Sequence, residues 1–566
     1  MRWRYLATAL FCAAQAPTLA GALAAQVQVQ DQPPQPSAPR PTPEPESQVQ
    51  PTPDAPVAAP EASPTAAAPE ATPATADPAL AVPPPSPPAD PVVAVIRVKL
   101  ADPESGKAAH ADDLAALKAF YEARTGTALW ITEMGFSAKG HQALFEIEKA
   151  GDWGLDAASF ELPPADALPA TPEAQALAEI KLDLAILKYA RFARGGRLSP
   201  SKVSELFDQT PPLRDPKTVV SEIEAADAPD DYLRSLHPKH EQFVRLRQAM
   251  LDARGTEEEG AKPADDGKDI KRILMNMERW RWMPEELGRV YVLNNSAAFL
   301  LHVIKDGKTI YADKTLVGTI GYATPVFTAP MTTIVFNPDW NAPETVVNEN
   351  ILPPLQRKSY SILKTHKLYV SYNGQKVDPT KVDWNRVNGL AYTFSQKAGP
   401  HNNLGKVKFL YPNRHTVYMH DTLPVRKKYF KQTVRTIGHE CVCMEKPDRF
   451  AEVLLAEGNG WTGDRIKELW VKGVNSSVAL ERKIPVHMVY FTAVADESGK
   501  VETFADVYGL DRKLAAALFG DATGFPQPPP ESKQPPLGEG DASTPAARRT
   551  TADNDMARAM QGFLGE

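Results

Sequence analysis

The chain has 566 residues, 54 of them Pro and 3 of them Cys, with 63 basic against 70 acidic side chains and a net charge of −7. That balance removes the electrostatic case for nucleic acid, which needs a strongly basic face. Three cysteines exclude a disulfide-scaffolded fold and any multi-cysteine zinc or iron–sulfur site. The prolines are unevenly spread, with 21 between Asp31 and Pro91 and 7 between Pro526 and Pro545, so the part able to build cores runs from Val98 to about Ala522.

At the N-terminus, Arg2 and Arg4 precede an apolar run, Tyr5 to Ala14, and then the small residues Ala20-Gly-Ala22-Leu-Ala24-Ala25. A basic n-region, a short apolar region and A-x-A spacing predict a secretory signal peptide over 1–25, which would carry Cys12 away on cleavage. The run is too short for a bilayer and is broken by Gln15 and Pro17, and no other stretch of about 20 apolar residues follows. The expectation is an exported protein without a stable transmembrane segment. Residues 26–97 are almost all Pro, Ala, Gln, Thr, Ser and Glu, a composition that buries too little apolar surface to offset ordering entropy. They read as a disordered Pro/Ala-rich linker.

Residues 98–255 predict a helical domain. Thr171-Pro172 combines a capping hydroxyl with proline at the first helical position, and Leu177, Ile180, Leu184 and Leu187 then recur at helical spacing. Gly195-Gly196 stops that helix, and Gln142 to Ala150 suggests another. A charged, Gly-containing stretch at 256–270 reads as a linker.

From Arg289 the pattern changes to strands. Val290-Tyr-Val-Leu293 and Phe299 to Ile304 run into Asp306-Gly307, a strong two-residue hairpin signal. Further strands are expected at Thr309–Tyr311, Thr315–Val317, Thr332–Phe336, Val407–Tyr411, Thr416–Met419 and Val486–Thr492, with helices after Pro447 and at Asp464–Trp470. The fold class is α+β, a helical domain followed by a mostly β domain with few helices. The tail, 523–566, again reads as disordered.

The chemistry-bearing residues gather in one stretch, Tyr418-Met-His420-Asp-Thr422 followed by Arg435-Thr-Ile-Gly438-His439-Glu440-Cys441-Val-Cys443. A free thiol of pKa about 8.5 is only a few per cent thiolate at neutral pH, and a nearby imidazole makes it a usable nucleophile. The alternative is that Cys441 is a small buried hydrophobe beside satisfied histidines. A metal site lacks a defensible ligand spacing, and no cofactor is called for.

This stretch resembles the catalytic motif of the L,D-transpeptidases of the YkuD type, a His followed by Ser-His-Gly-Cys-Val-Arg. The wider chain resembles the larger, YcbB-like murein L,D-transpeptidase subgroup. Asn276-Met-Glu-Arg-Trp-Arg-Trp-Met-Pro284, Thr324–Phe327, Phe336–Trp340, Ile351–Pro353, Leu404–Phe409, Tyr411–Asn413, Ile484–Tyr490 and Asp506–Asp511 follow in family order. Leu129–Ile131, Gly154–Asp156 and Tyr189–Pro200 resemble its helical scaffold. The resemblance implies a catalytic domain at 271–522, with a core about 289–475 and an inserted lid about 343–405, and a periplasmic location. It implies Cys441 as nucleophile, His420 as general base and acid, and His439 as a positioning residue. Gly438, Arg435, Tyr411, Asn413, Met419 and Trp340 would contact substrate, and backbone N–H groups around Cys441 would form an oxyanion hole. The substrates would be peptidoglycan stem tetrapeptides as donor and acceptor, joined in 3→3 cross-links through a thioester, and cell-wall synthases are a candidate partner class.

Two departures stand out. The linker near 255–270 leaves no room for the subgroup's peptidoglycan-binding module. Where the motif has Gly and Arg, this chain has Glu440, which adds a negative charge beside the thiolate, and Cys443, which removes a bidentate carboxylate partner. A catalytically weak or inactive homologue that binds peptidoglycan or a synthase is therefore one alternative. An enzyme passing the thioester to water or a free D-amino acid is the other.

Overall fold

In the computed structural model, which describes residues 90–102, 109–166, 169–258, 267–415 and 417–528, the first helix begins inside the expected linker. Asp90 Oδ1 accepts the N–H groups of Val92 at 2.7 Å and Val93 at 3.1 Å, and Pro91 takes the first position of α1 (Pro91–Ala101). A capping carboxylate followed by proline starts a helix, so Pro91 ends the proline run in composition but opens a helix in structure. Val92, Val93, Ile96 and Leu100 are buried, which moves the domain edge from 98 back to Asp90. The expected signal peptide, the rest of the linker and the tail beyond 528 lie outside the described residues.

Helices α2 (Ala111–Ala123), α3 (Ala138–Glu148), α4 (Pro172–Gly195), α5 (Pro216–Ala225), α6 (Pro229–Ser235) and α7 (Glu241–Glu258) complete the helical part. Thr171 Oγ1 accepts from Ala174 N at 3.3 Å, the cap that the sequence announces. Helix α4 is central and packs against α1, α2, α3, α5 and α6. It therefore buries a wide arc instead of one seam: Ile180 and Leu187 are inside as expected, but Leu177 is 48 % exposed. Inside that arc the Glu179 carboxylate accepts from Tyr121 Oη at 2.9 Å and from the N–H groups of Leu129, Trp130 and Ile131. Asp183 accepts from Tyr121 Oη and Trp130 Nε1, both at 2.7 Å.

The expected linker at 256–270 shrinks from both sides, because α7 runs to Glu258 and α8 (Lys268–Arg281) starts at Lys268. Helix α8 carries the Asn276–Pro284 sequence and wedges between the two parts. Glu278 accepts from Arg197 N and from Leu198 N, while Arg279 pairs with Asp511 at 2.8 Å and Trp280 stacks on Phe491.

The β-rich part contains β1 (Val290–Asn295), β2 (Leu300–Lys305), β3 (Lys308–Gly318), β4 (Phe327–Phe336), β5 (Trp340–Asn341), β6 (Tyr369–Tyr372), β7 (Gln375–Lys376), β8 (Tyr392–Gln396), β9 (Val407–Leu410), β10 (Met419–Asp421), β11 (Thr436–Gly438), β12 (Val442–Met444) and β13 (Ser476–Val489). Nine strands form one sheet in the order β11-β3-β12-β10-β9-β4-β13-β1-β2, and β2 also pairs with β3, so eight of them close into a ring. The β2–β3 turn has positive φ at Asp306 (49°) and Gly307 (78°), the geometry that Asp-Gly provides at least strain.

Side chains alternate across the ring wall. Val407, Phe409, Met419, Val442 and Met444 face a core shared with Phe450, Leu454 and Leu455 of α9 (Pro447–Asn459). The other face carries Leu316, Tyr418, Cys441 and Cys443 and is covered by Val346, Ile351, Leu355 and Phe394 of the insertion between β4 and β9. That insertion has its own sheet, β5-β8-β6-β7.

Helix α10 (Gly463–Lys472) follows α9, and α11 (Leu510–Phe519) packs on α8. The folded chain continues past 522: Phe525 is buried and its carbonyl accepts from Arg512 Nη1 at 2.8 Å. Among the described residues no helix is long and apolar enough to cross a membrane.

Candidate active site

One row of side chains crosses four strands on the lid side of the ring. Register places Leu316 of β3 opposite Cys443 of β12, Cys443 opposite His420 of β10, and His420 opposite Lys408 of β9. Strands β10 and β12 are parallel, so His420 and Cys443 lie at the same level and on the same face. His420 is wholly buried. Its Nδ1 is 2.6 Å from the carbonyl oxygen of Asp421, and its Nε2 is 3.5 Å from Cys443 Sγ. A carbonyl only accepts, which assigns the proton to Nδ1 and turns the Nε2 lone pair to the thiol. Burial pulls the imidazole pKa down, but the charge and hydrogen bond of Cys443 and the Asp421 carbonyl outweigh it, and the net shift is upward.

The expected pairing of Cys441 with His420 is not the one this register makes. Cys441 stands two residues earlier on the same face, level with Tyr418, whose carbonyl accepts from Val442 N at 3.2 Å. Its sulfur is buried and packs in the cluster containing Trp340, Tyr418, Phe430 and Ile437. Across from it Lys408 is a half-buried ammonium whose pKa burial lowers, with Asp339 and Cys441 opposing that shift.

The loop leading to β12 is held from below. Thr324 Oγ1 donates to the carbonyl of Glu440 at 2.8 Å and accepts from Gly318 N at 2.9 Å. Tyr508 Oη donates to the Gly318 carbonyl at 2.8 Å, and Thr319 N donates to that of Gly438 at 2.8 Å. Gly318 is a close-approach glycine, since a Cβ there would lie 1.8 Å from the Tyr322 carbonyl oxygen. After His420, Asp421 accepts from Thr422 N and Lys406 N, and Thr422 Oγ1 donates to the Met444 carbonyl, tying β10 to β12. Glu440 is partly buried, and burial raises its carboxyl pKa, which weakens the charge it sets beside the thiols.

The other expected site residues divide. His439 is buried with neither ring nitrogen hydrogen-bonded, its ring 4.0 Å from that of Tyr322. Burial lowers its pKa to about 4, so it is neutral at ordinary pH. Tyr322 Oη in turn donates to Glu349 of the insertion. Trp340 lies in the lid-side cluster with a buried, unpartnered Nε1. Gly438 shapes the loop through β11.

Tyr411 and Met419, by contrast, face the ring core, on the opposite side of the wall from His420. Asn413 staples its own loop, donating to the carbonyls of Tyr411 and Val417 and accepting from His415 N and Val417 N. Arg435 donates to the carbonyls of Thr315, Gln432 and Phe299 and packs its guanidinium over the Phe299 ring. These four hold structure in this arrangement. Sequence reasoning did not single out Lys408, Tyr322 or Glu349, nor Cys443 as the partner of His420. Alternation puts 441 and 443 on one face, but only strand register decides which of them meets the histidine.

The helical part reaches this site. Asp208 accepts from His415 at 2.8 Å and pairs with Arg414, just before β10, and Phe207 bridges to Val326 beside Thr324.

Comparison with known proteins bears on both parts. The description "L,D-transpeptidase catalytic domain" (YkuD) matches residues 288–466, and that of a scaffold domain matches residues 115–250. A curated protein from Haemophilus influenzae, named "Putative L,D-transpeptidase", is 32% identical over 248 residues, which are 44% of this chain and 49% of that protein. The match thus spans about half the length of the curated relative.

Proposed function

The chain belongs to the L,D-transpeptidase family, with the YkuD catalytic domain behind a scaffold domain, and from that premise we propose that it forms 3→3 cross-links in peptidoglycan through a cysteine thioester. The observation that carries this reading is the His420 imidazole, fixed by the Asp421 carbonyl with its other ring nitrogen 3.5 Å from a cysteine sulfur. A base locked in one tautomer by a third group and within reach of a thiol is the arrangement that nucleophilic catalysis needs.

In the first half-reaction Cys441, the cysteine of the family motif, gives its proton to His420 and attacks the carbonyl between the third and fourth residues of a stem tetrapeptide. The imidazolium then protonates the leaving D-Ala nitrogen, and the acyl group stays on sulfur. In the second, the side-chain amine of a neighbouring stem attacks the thioester, and its proton returns to sulfur through Nε2. Backbone N–H groups of the 438–441 loop would stabilise the oxyanion, a contribution often worth roughly 10²–10³ in rate per donor. His439 and Trp340, neutral donors without partners, suit contacts to substrate amides. The site of action would be the periplasm.

The test is incubation of the full chain with tetrapeptide donor and acceptor muropeptides, followed by mass spectrometry. The expected products are free D-Ala, an acylated protein and a 3→3 dimer. Binding to sacculi without any of the three would overturn the enzymatic reading and favour the non-catalytic one, for which Glu440 and Cys443 at altered motif positions are the supporting observation. D-Ala release and acylation without dimer would point to water or a free D-amino acid as acceptor.

A further inference from the structure

Resting on that reading of the site, we propose that Lys408 receives the terminal carboxylate of the donor tetrapeptide and so sets the preference for a donor of that length. The first support is placement. Val407 and Phe409 face the ring core, so alternation turns Lys408 to the lid side, where its strand neighbour Leu410 packs. Lys408 ends the row that runs through Leu316, Cys443 and His420; those three are buried, and Lys408 is the member that reaches toward solvent. Its ammonium lies 5.9 Å from the centre of the Tyr418 ring, and the Tyr418 carbonyl holds Val442 N, next to Cys441. The second support is the want of a fixed counter-ion. Among the described residues Lys408 Nζ enters no hydrogen bond and no ion pair. Asp339, the carboxylate that acts on it, is taken by Lys397 Nζ at 2.8 Å and Ala398 N at 3.0 Å. A partly desolvated ammonium left in that state gains most from an incoming anion.

The third support is that two other cations are removed from this task. Cys443 stands where the motif has arginine, and Arg435 is spent on the carbonyls of Thr315, Gln432 and Phe299. The substrate supplies the complement. In a tetrapeptide the D-Ala carboxylate is the charged group nearest the scissile carbonyl, one residue beyond it. A pentapeptide cut at the same carbonyl carries its carboxylate one residue further on, about 3.8 Å along the chain. A single cation beside the nucleophile therefore distinguishes the two donors.

The experiment measures acylation of the full chain by intact mass, with no acceptor present, using a tetrapeptide donor as free acid and as C-terminal carboxamide. The wild type should prefer the acid by about 10- to 100-fold in kcat/KM for acylation, the usual worth of a charge-assisted contact. A pentapeptide donor should fare like the amide. Lys408→Met should bring the acid-to-amide ratio near one, and Lys408→Arg should keep most of it. The ratio is taken within one protein, so an unfolded fraction or an altered thiol reactivity cancels. A Lys408→Met protein with the wild-type ratio, or a wild type that uses acid, amide and pentapeptide equally, overturns this proposal and leaves the transpeptidase reading standing. A wild type acylated by none of the three overturns both.

Discussion

The helical part and the ring each bury a polar pair, and they finish it differently. In α4 all four carboxylate oxygens of Glu179 and Asp183 accept hydrogen bonds, from three backbone N–H groups, Tyr121 and the Trp130 indole. On the lid side of the ring, His420 is locked, but both nitrogens of His439, Nε1 of Trp340, Nδ2 of Asn350 and Nδ2 of Asn403 are buried without partners. A closed polar network fixes a fold, whereas buried donors left open beside a thiol carry a standing desolvation penalty that a ligand can relieve. The two sites look alike in burial and differ in completion; open buried donors also occur at His237, Trp280 and Trp282, so it is their position beside the thiols that marks the second site.

The largest effect comes from breaking the open site. His420→Ala should reduce acylation by about 10²–10⁴-fold, the usual worth of a positioned base, with the far-UV spectrum unchanged. Intact-mass time courses measure it, and a loss smaller than about threefold would remove His420 from the chemistry.

Breaking the closed site should do the reverse. Glu179→Ala leaves three backbone N–H groups without their acceptor, and a buried unsatisfied group costs about 1–3 kcal/mol. A loss on the order of 4 kcal/mol is expected, read as a lowered denaturation midpoint, while acylation per folded molecule stays at the wild-type level. If acylation falls with the scaffold intact, the two sites are coupled through α8 and the Asp208–His415 contact, and the contrast between them is too sharp.

The closed site was the less legible of the two. Thr171-Pro172, the Asp-Gly turn and the strand at Val407 are local signals, and each folds where its sequence says. Asp90-Pro91 is equally local but sits inside a proline run, so composition masks the cap. Glu179 and Asp183 look like the polar side of an amphipathic helix; only the helices packed around α4 turn them inward. In the ring, His420 and the two cysteines stand out by residue type, yet Tyr411, Met419 and Arg435 attach to the site by proximity in sequence alone. Alternation sends Met419 through the wall to the other face, and Arg435 is occupied by carbonyls more than a hundred residues away in the chain. What sequence patterns omit is register, and register is what sets Cys443 against His420.

A pH series sharpens the comparison further. Burial raises the Glu179 carboxyl to about 6, against the opposing pull of its hydrogen bonds, and raises Asp183 as well, with Glu179's charge adding to it. The folded state then holds protons that the unfolded state has released, so the stability this pair contributes is fully present below the unfolded value near 4.5. It is lost as pH rises through 6. The denaturation midpoint of the wild type, relative to Glu179→Gln, should therefore fall between pH 4.5 and 6.5, by less than the Glu179→Ala loss. His420 is also raised, but because a thiol favours its charged form, so its contribution likewise fades as pH rises through its folded value. A Glu179→Gln protein with the wild-type pH slope would assign that slope elsewhere.

The smallest effect tests whether the open site is complete without its cover. Tyr322 joins the ring to the insertion through its hydroxyl on Glu349, while its ring packs on His439. Tyr322→Phe removes only the hydroxyl, a partly exposed contact to a solvent-exposed carboxylate, worth less than about 1 kcal/mol. Acylation should change by less than about threefold and the melting temperature hardly at all. Tyr322→Ala also strips the ring from His439, exposes an imidazole that burial holds near pKa 4, and lets it regain a higher value. The two variants therefore separate cover from environment. If Tyr322→Phe alone costs more than tenfold in acylation, the insertion takes part in forming the competent site, and the unpartnered donors beneath it are completed by closure as well as by substrate.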